Sequence, residues 1–242
     1  MPVPDFDVRH IRWIAFDAVG TLIHPQPSAA VAYYEVGQRH GSRLGPEEVA
    51  ARFREVFARV AEAPDLNCGC PEAGDRWHTC EARERIRWER IVRQVLDDVA
   101  SPDACFAELF AHFARPDSWA CFPEVGAALR RLREAGYRLA VGSNFDARLN
   151  AVMDGLPELK PIELRIISSE VGWRKPSPRF FEALVRAAGC APSEILFVGD
   201  DPTSDVAAAR NFGLAALQID RGHASDQNRA LRSLDELLTR LT

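Results

Sequence analysis

No run in the 242-residue chain approaches the ~20 consecutive apolar residues that a bilayer-spanning helix needs. Positive charge is not in excess either: 30 lysines and arginines face 35 aspartates and glutamates, for a formal net charge of −5. Neither a nucleic-acid nor a membrane partner is therefore expected. The N-terminal MPVPDFDVRHIRW mixes acid and base early and lacks a long apolar block with a cleavage site. It does not read as a signal peptide, and a cytoplasmic location is expected. No internal repeat and no low-complexity tract is present, and residues 28–113 contain no lysine at all. The six cysteines, Cys68, Cys70, Cys80, Cys105, Cys121 and Cys190, are too few for a disulfide framework in a cytoplasmic chain of this length and are expected as thiols. Apolar side chains, by contrast, make up 47% of the chain. That supports a real core, in one domain with a sizeable insertion or in two modest domains.

IRWIAF, residues 11 to 16, reads as a strand with Asp17 at its C-terminal end and Gly20 placed for an abrupt turn. Residues 28 to about 113 change style. Val49, Phe53, Val56, Phe57 and Val60 fall on one helical face, as do Trp88, Ile91, Val92, Val95 and Val99, and no strand pattern interrupts them. Beyond Pro123, strands (YRLAVGSN, LRIISS, ILFVGD, LAALQI) alternate with helices, two of which are closed by Gly136 and Gly189. Such alternation with near-continuous apolar strands predicts a Rossmann-like, doubly wound α/β fold, its parallel sheet covered on both faces. The expected core is residues 1–24 and 114–242, with residues 25–113 forming a helical cap inserted after the first strand. Ligands of such sheets bind at the carboxyl ends of the strands, where Asp17, Ser143 and Asp200 are all expected.

Asp17, Asp200, Asp201 and Asp205 would bring several carboxylates to one crevice, which is costly unless a cation compensates. Oxygen donors of this kind suit Mg2+ together with a substrate phosphate. Lys175 adds a positive charge, and Ser143 a donor for anionic oxygens. Taken singly, each piece has a bland reading, since an aspartate at a strand end is more often a cap or turn residue. Their order carries the signal: strand-Asp-x-x-Gly-Thr, strand-Ser-Asn, Lys-Pro, strand-Gly-Asp-Asp-x-x-x-Asp.

In that order the four pieces resemble the haloacid dehalogenase-like superfamily over about residues 11 to 221. LAVGSNFDARL, SSEVGWRKPSPRFF and FVGDDPTSDVAAARNFG are similar to its domain-containing-protein-3 and REG-2-like group. The resemblance implies an aspartyl-phosphate nucleophile at Asp17 and a Mg2+ held by Asp17, Asp200 and the backbone carbonyl of Val19. It also implies phosphoryl binding by Ser143, Asn144 and Thr21, charge neutralisation by Lys175, and support from Asp201 or Asp205. The substrate would be a small phosphorylated molecule. The departure is Val19, where the family's phosphatases carry the aspartate that protonates the leaving group. Valine keeps the metal-binding carbonyl and discards acid–base help typically worth ~10²–10⁴-fold. His24 is the substitute the sequence offers, against the plain alternative of a hinge histidine facing water.

Two other outcomes follow from the missing acid. One is a catalytically weak or inactive protein that binds Mg2+ or phosphate and works through partners. The other, further off, is a 2-haloacid dehalogenase, whose substrate carboxylate Asp200 and Asp201 would repel. A phosphonatase is disfavoured because the cap block has no lysine for a Schiff base. Cys68, Cys70, His78 and Cys80 could hold a metal, although their spacings are tighter than the usual knuckle and a loop between cap helices is the simpler expectation. Among the tryptophans, Trp88 sits in an apolar stripe and is expected in the core, while Trp173, beside Lys175, is expected to line the crevice.

Overall fold

The computed structural model describes residues 8–61, 76–222 and 230–241. Five strands form one parallel sheet: β1 (Trp13–Phe16), β4 (Arg138–Ser143), β5 (Leu164–Ile167), β6 (Ile195–Gly199) and β7 (Ala215–Gln218), in the order β5-β4-β1-β6-β7. β1 is central and wholly buried, which explains why WIAF is an unbroken apolar run. Its side chains alternate between two cores. Ile14 and Phe16 join Val141, Val198, Val125 and Leu129, whereas Trp13 and Ala15 join Phe180, Phe181, Leu184 and Phe197.

The flanking helices are α5 (Val125–Glu134), α6 (Arg148–Gly155), the single turn α7 (Ser168–Val171), α8 (Pro178–Ala188), α9 (Ala208–Phe212) and α10 (Leu234–Leu241). The expected TSDVAAARNFG helix begins as a wider π-type turn, Pro202–Ala207, in which the Asp205 and Val206 amides both donate to the Asp201 carbonyl.

Between β1 and β4 lie α1 (Ala29–Arg39), α2 (Pro46–Ala61), α3 (Glu81–Val95) and α4 (Pro102–His112). Among the described residues this stretch is helical, as its periodicity predicts. The chain enters and leaves it side by side, through an antiparallel ribbon of β2 (Ile23–Pro25) and β3 (Trp119–Cys121) that pairs His24 with Ala120. Three-residue strands are too short to show a period, so the sequence gives no sign of this ribbon.

The α2 stripe buries Val49, Val56 and Val60, but Phe57, expected among them, is 42% exposed at the stripe's edge, stacked beside Phe53. Among the described residues no helix is long and apolar enough to cross a membrane, and Cys105, Cys121 and Cys190 are unbridged thiols. Cys68 and Cys70 lie outside the described residues. His78 packs edge-on against Trp173, and Cys80 occupies the N-cap position of α3.

Candidate active site

β1 delivers Asp17 to the carboxyl edge of the sheet, where the Asp17 amide donates to the Val198 carbonyl at 2.8 Å. The strand order reverses around β1, so the loops after β4 and β6 diverge on either side and leave a crevice there. After Asp17 the chain turns at once: Gly20 donates to the Ile23 carbonyl and the Ile23 amide to the Ala18 carbonyl. Arg221 braces this turn through two hydrogen bonds to the Thr21 carbonyl, at 3.0 and 2.6 Å, and a 2.7 Å bond to Glu124. Two glycines let the acidic loops close in. A β-carbon on Gly20, whose φ is +89°, would collide with the Asp200 carboxylate, and one on Gly199 would collide with that of Asp205.

Lys175 lies at the centre with its side chain 2% exposed. Its Nζ donates to Asp17 Oδ1 at 2.7 Å and to the Gly142 carbonyl at 2.8 Å, and pairs with Asp205 Oδ1 at 2.6 Å. Asn144 fixes the lysine's backbone from both sides, donating to its carbonyl at 3.0 Å and accepting from its amide at 2.8 Å. Carboxylate oxygens of Asp17, Asp200 and Asp205 all lie within 4.8 Å of one another.

Three acids thus meet one ammonium, and the protonation equilibria of Asp200 and Asp205 register the imbalance. Desolvation, followed by repulsion from Asp17 and Asp205, pushes Asp200 up to about 7, although the residue as a whole is open to solvent. Burial and the Asp17 charge push Asp205 up to about 6 in spite of its lysine. Burial alone would discharge Lys175, but Asp17 and Asp205 outweigh it and hold the ammonium firmly charged. Such a cluster is short of positive charge, and its all-oxygen donor set suits a hard divalent cation.

Of the remaining expected site residues, Ser143 ends β4 and is buried. The Thr21 hydroxyl is buried without a hydrogen-bond partner. Asp201 turns its carboxylate to the Thr203 and Ser204 amides, capping the turn that follows, so Asp205 rather than Asp201 is the acid that touches the lysine.

Beside this polar cluster is a cavity of about 460 Å³ whose lining includes Val19, His24 and Asn144. Trp88 and Trp119 line it, so Trp88 is not confined to the core. Trp173, expected in the crevice, packs between His78 and Arg179, and its backbone forms a short antiparallel bridge with His78.

Two charged groups that frame the site have no cue in the sequence. Arg148 reaches the cavity while bound to Asp146 at 2.8 and 2.7 Å and to the Phe110 carbonyl at 3.0 Å. Glu84 of α3 accepts from Arg174 at 2.7 Å and from the Thr79 hydroxyl at 2.6 Å, with Arg87 at 3.5 Å. Arg174 is the residue before Lys175, so this buried network ties α3 to the lysine's segment. Burial opposes Glu84's charge, but Arg174, Arg87 and Thr79 overcome it and keep the carboxyl below its ordinary range.

Fold and site together define an α/β protein with a carboxylate-centred polar crevice at its topological switch point. The chain belongs to the haloacid dehalogenase-like hydrolases, whose family model matches residues 11–213. It is 25% identical to haloacid dehalogenase-like hydrolase domain-containing protein 3 of Danio rerio over 96% of both chains. It is 34% identical to phosphoserine phosphatase of Thermus thermophilus over 88% of this chain and 90% of that one. Among solved structures, a HAD phosphatase from Thermococcus onnurineus superposes with a TM-score of 0.64 at 22% identity, covering 96% of this chain and 98% of its own. The L-2-haloacid dehalogenase RSc1362 gives 0.71 at 20% identity, with the same coverage. The fold alone therefore does not choose between the two chemistries.

Proposed function

We propose that this hydrolase is a Mg2+-dependent phosphatase that works through an aspartyl phosphate on Asp17. The observation that carries the reading is the charge imbalance of the crevice: three carboxylates around a single buried ammonium. A dehalogenase handling an anionic haloacid would add a fourth negative charge to this cluster, whereas a divalent cation closes the balance and then admits a phosphoryl group.

In this reading Asp17, Asp200 and the Val19 backbone carbonyl hold the cation. When bound, it would supply charge neutralisation to the acids and to the phosphoryl oxygens. Lys175 orients Asp17 through its 2.7 Å hydrogen bond, Asp205 fixes the lysine, and Asn144 fixes the lysine's backbone. Ser143 and Thr21 are assigned to phosphoryl oxygens, a role suited to Thr21's unpartnered hydroxyl. Helices α1 to α4 act as the cap over this crevice. A binding protein without turnover is the reading that Val19 favours in its place.

Acetyl phosphate, small and activated, separates the two. Purified protein with Mg2+ is expected to hydrolyse it, and Asp17→Asn to abolish that turnover. Inactivity of the wild type, or full activity of the variant, would remove the phosphatase assignment.

A further inference from the structure

The cavity beside the acidic cluster is rich in aromatic side chains. Tyr33, Phe53, Phe57 and Trp88 reach it from α1, α2 and α3, and Phe113, Trp119 and Phe145 also line it. At about 460 Å³ it is of the size that encloses small organic ligands, roughly 300–1,000 Å³. It adjoins the proposed chemistry through Val19, two residues beyond Asp17, and through Asn144, which is hydrogen-bonded to Lys175. Among the described residues the one charged side chain in its lining, Arg148, is matched by both carboxylate oxygens of Asp146 and by a backbone carbonyl. No carboxylate lines the cavity among the described residues. Among the described residues it therefore offers no counter-charge for an ammonium, and its cation is already paired, so an amino-acid leaving group would lose its ammonium's hydration there without a compensating charge, and a sugar's several hydroxyls would meet few polar groups beyond those of Ser28, His24 and Asn144.

We propose that the substrates of this site are aryl phosphomonoesters, with the aromatic ring seated in this cavity and the phosphoryl group at Asp17; the assignment rests on the phosphatase reading above. It joins two features that are otherwise unrelated: an apolar pocket and the valine where the family's acid stands. A phenol, like the tyrosine side chain, ionises near pH ~10, several units below water's 15.7, so an aryl oxide departs without a proton donor. In the first step a carboxylate oxygen of Asp17 bonds to phosphorus and the P–O(aryl) bond breaks. The bonding pair leaves with the aryl oxide, which takes its proton from solvent. In the second step water attacks the aspartyl phosphate, releasing inorganic phosphate and regenerating the carboxylate.

The test has a binding arm and a turnover arm. With Mg2+ present, the non-hydrolysable benzylphosphonate is expected to bind at least about tenfold more tightly than methylphosphonate, the order of effect of burying one ring, as read by calorimetry or by quenching of Trp88 and Trp119. Phe57→Ala, at a half-exposed position that tolerates truncation, should shrink that ratio. In turnover, kcat/KM for phenyl phosphate should exceed that for glycerol 2-phosphate or O-phosphoserine by about a hundredfold, and Phe57→Ala should lower the ratio of phenyl phosphate to acetyl phosphate turnover. Equal binding of the two phosphonates, or alkyl phosphates turned over as well as phenyl phosphate, overturns the aryl assignment. If acetyl phosphate is still hydrolysed through Asp17 in that case, the phosphatase reading survives. Failure to hydrolyse either phenyl or acetyl phosphate overturns both, whatever the phosphonates do.

Discussion

Val19→Asp would put a carboxylate two residues beyond Asp17, where the family's phosphatases carry their acid–base group. With such help typically worth ~10²–10⁴-fold, turnover of an alkyl phosphate is expected to rise by about a hundredfold. Phenyl phosphate should gain less, because its leaving group needs less assistance and the new charge enters an apolar wall. Steady-state kinetics on both esters check this, and a folded variant without the alkyl gain would mean that more than the acid is missing. His24 lines the same cavity as Val19, and the second step still calls for a group to activate water. His24→Ala is expected to depress turnover by about a hundredfold, the low end of the ~10²–10⁴-fold typical of acid–base help, while Mg2+ affinity measured by calorimetry stays unchanged; an equally active variant would leave His24 a part of the cavity wall without a catalytic role. At this scale the motif residues were legible in the sequence because Asp17, Ser143 and Asp200 stand at or just past strand ends and the others follow in short spaced motifs. Arg148, Arg221 and Glu84 were not, because their partners lie from 2 to 200 positions away in the chain and follow no period.

Helix α3 joins the sheet's edge through charge rather than through its apolar stripe. Glu84, with Arg174, Arg87 and Thr79, is buried against the segment that carries Lys175, and the Thr79 amide and Arg174 amide add backbone bonds to Gly172 and Trp77. Because Glu84's folded value lies below its ordinary 4.5, its ionisation stabilises the fold above that value, and the contribution is lost as pH falls through the lower, folded value. Chemical denaturation is therefore expected to show wild-type stability declining in acid below about pH 4.5. Glu84→Gln should be less stable at neutral pH by about 3 kcal/mol, the low end for breaking a buried ion pair, with a flatter profile across the acidic window. An unchanged pH profile would show that the network is not coupled to folding. The helix itself was legible from Trp88, Ile91, Val92 and Val95. Its attachment was not, since an arginine-rich helix face reads as solvated until the fold buries it.

For the molecule as a whole, the phosphatase reading proposed above predicts that the acidic crevice makes stability depend on a cation. Mg2+ at a hundredfold excess over its Kd should add about 2.7 kcal/mol, or roughly 5–10 °C in Tm for a chain of this size. Asp200→Asn should remove most of that gain, and thermal melts with and without Mg2+ read it directly; no shift in the wild type would mean that the acids are balanced by protons instead. The sequence by itself determined the alternation of apolar strands and amphipathic helices, the family, and the polar residues at strand ends, because these are local patterns with periods of two or 3.6 residues and short spaced motifs. Only the tertiary structure decided that Asp205 and not Asp201 meets the lysine, that Phe57 and Trp88 face a cavity, and that a two-stranded ribbon carries the chain to and from the helices. Those outcomes depend on which distant segments pack together, and contacts of that kind leave no periodic trace along the chain.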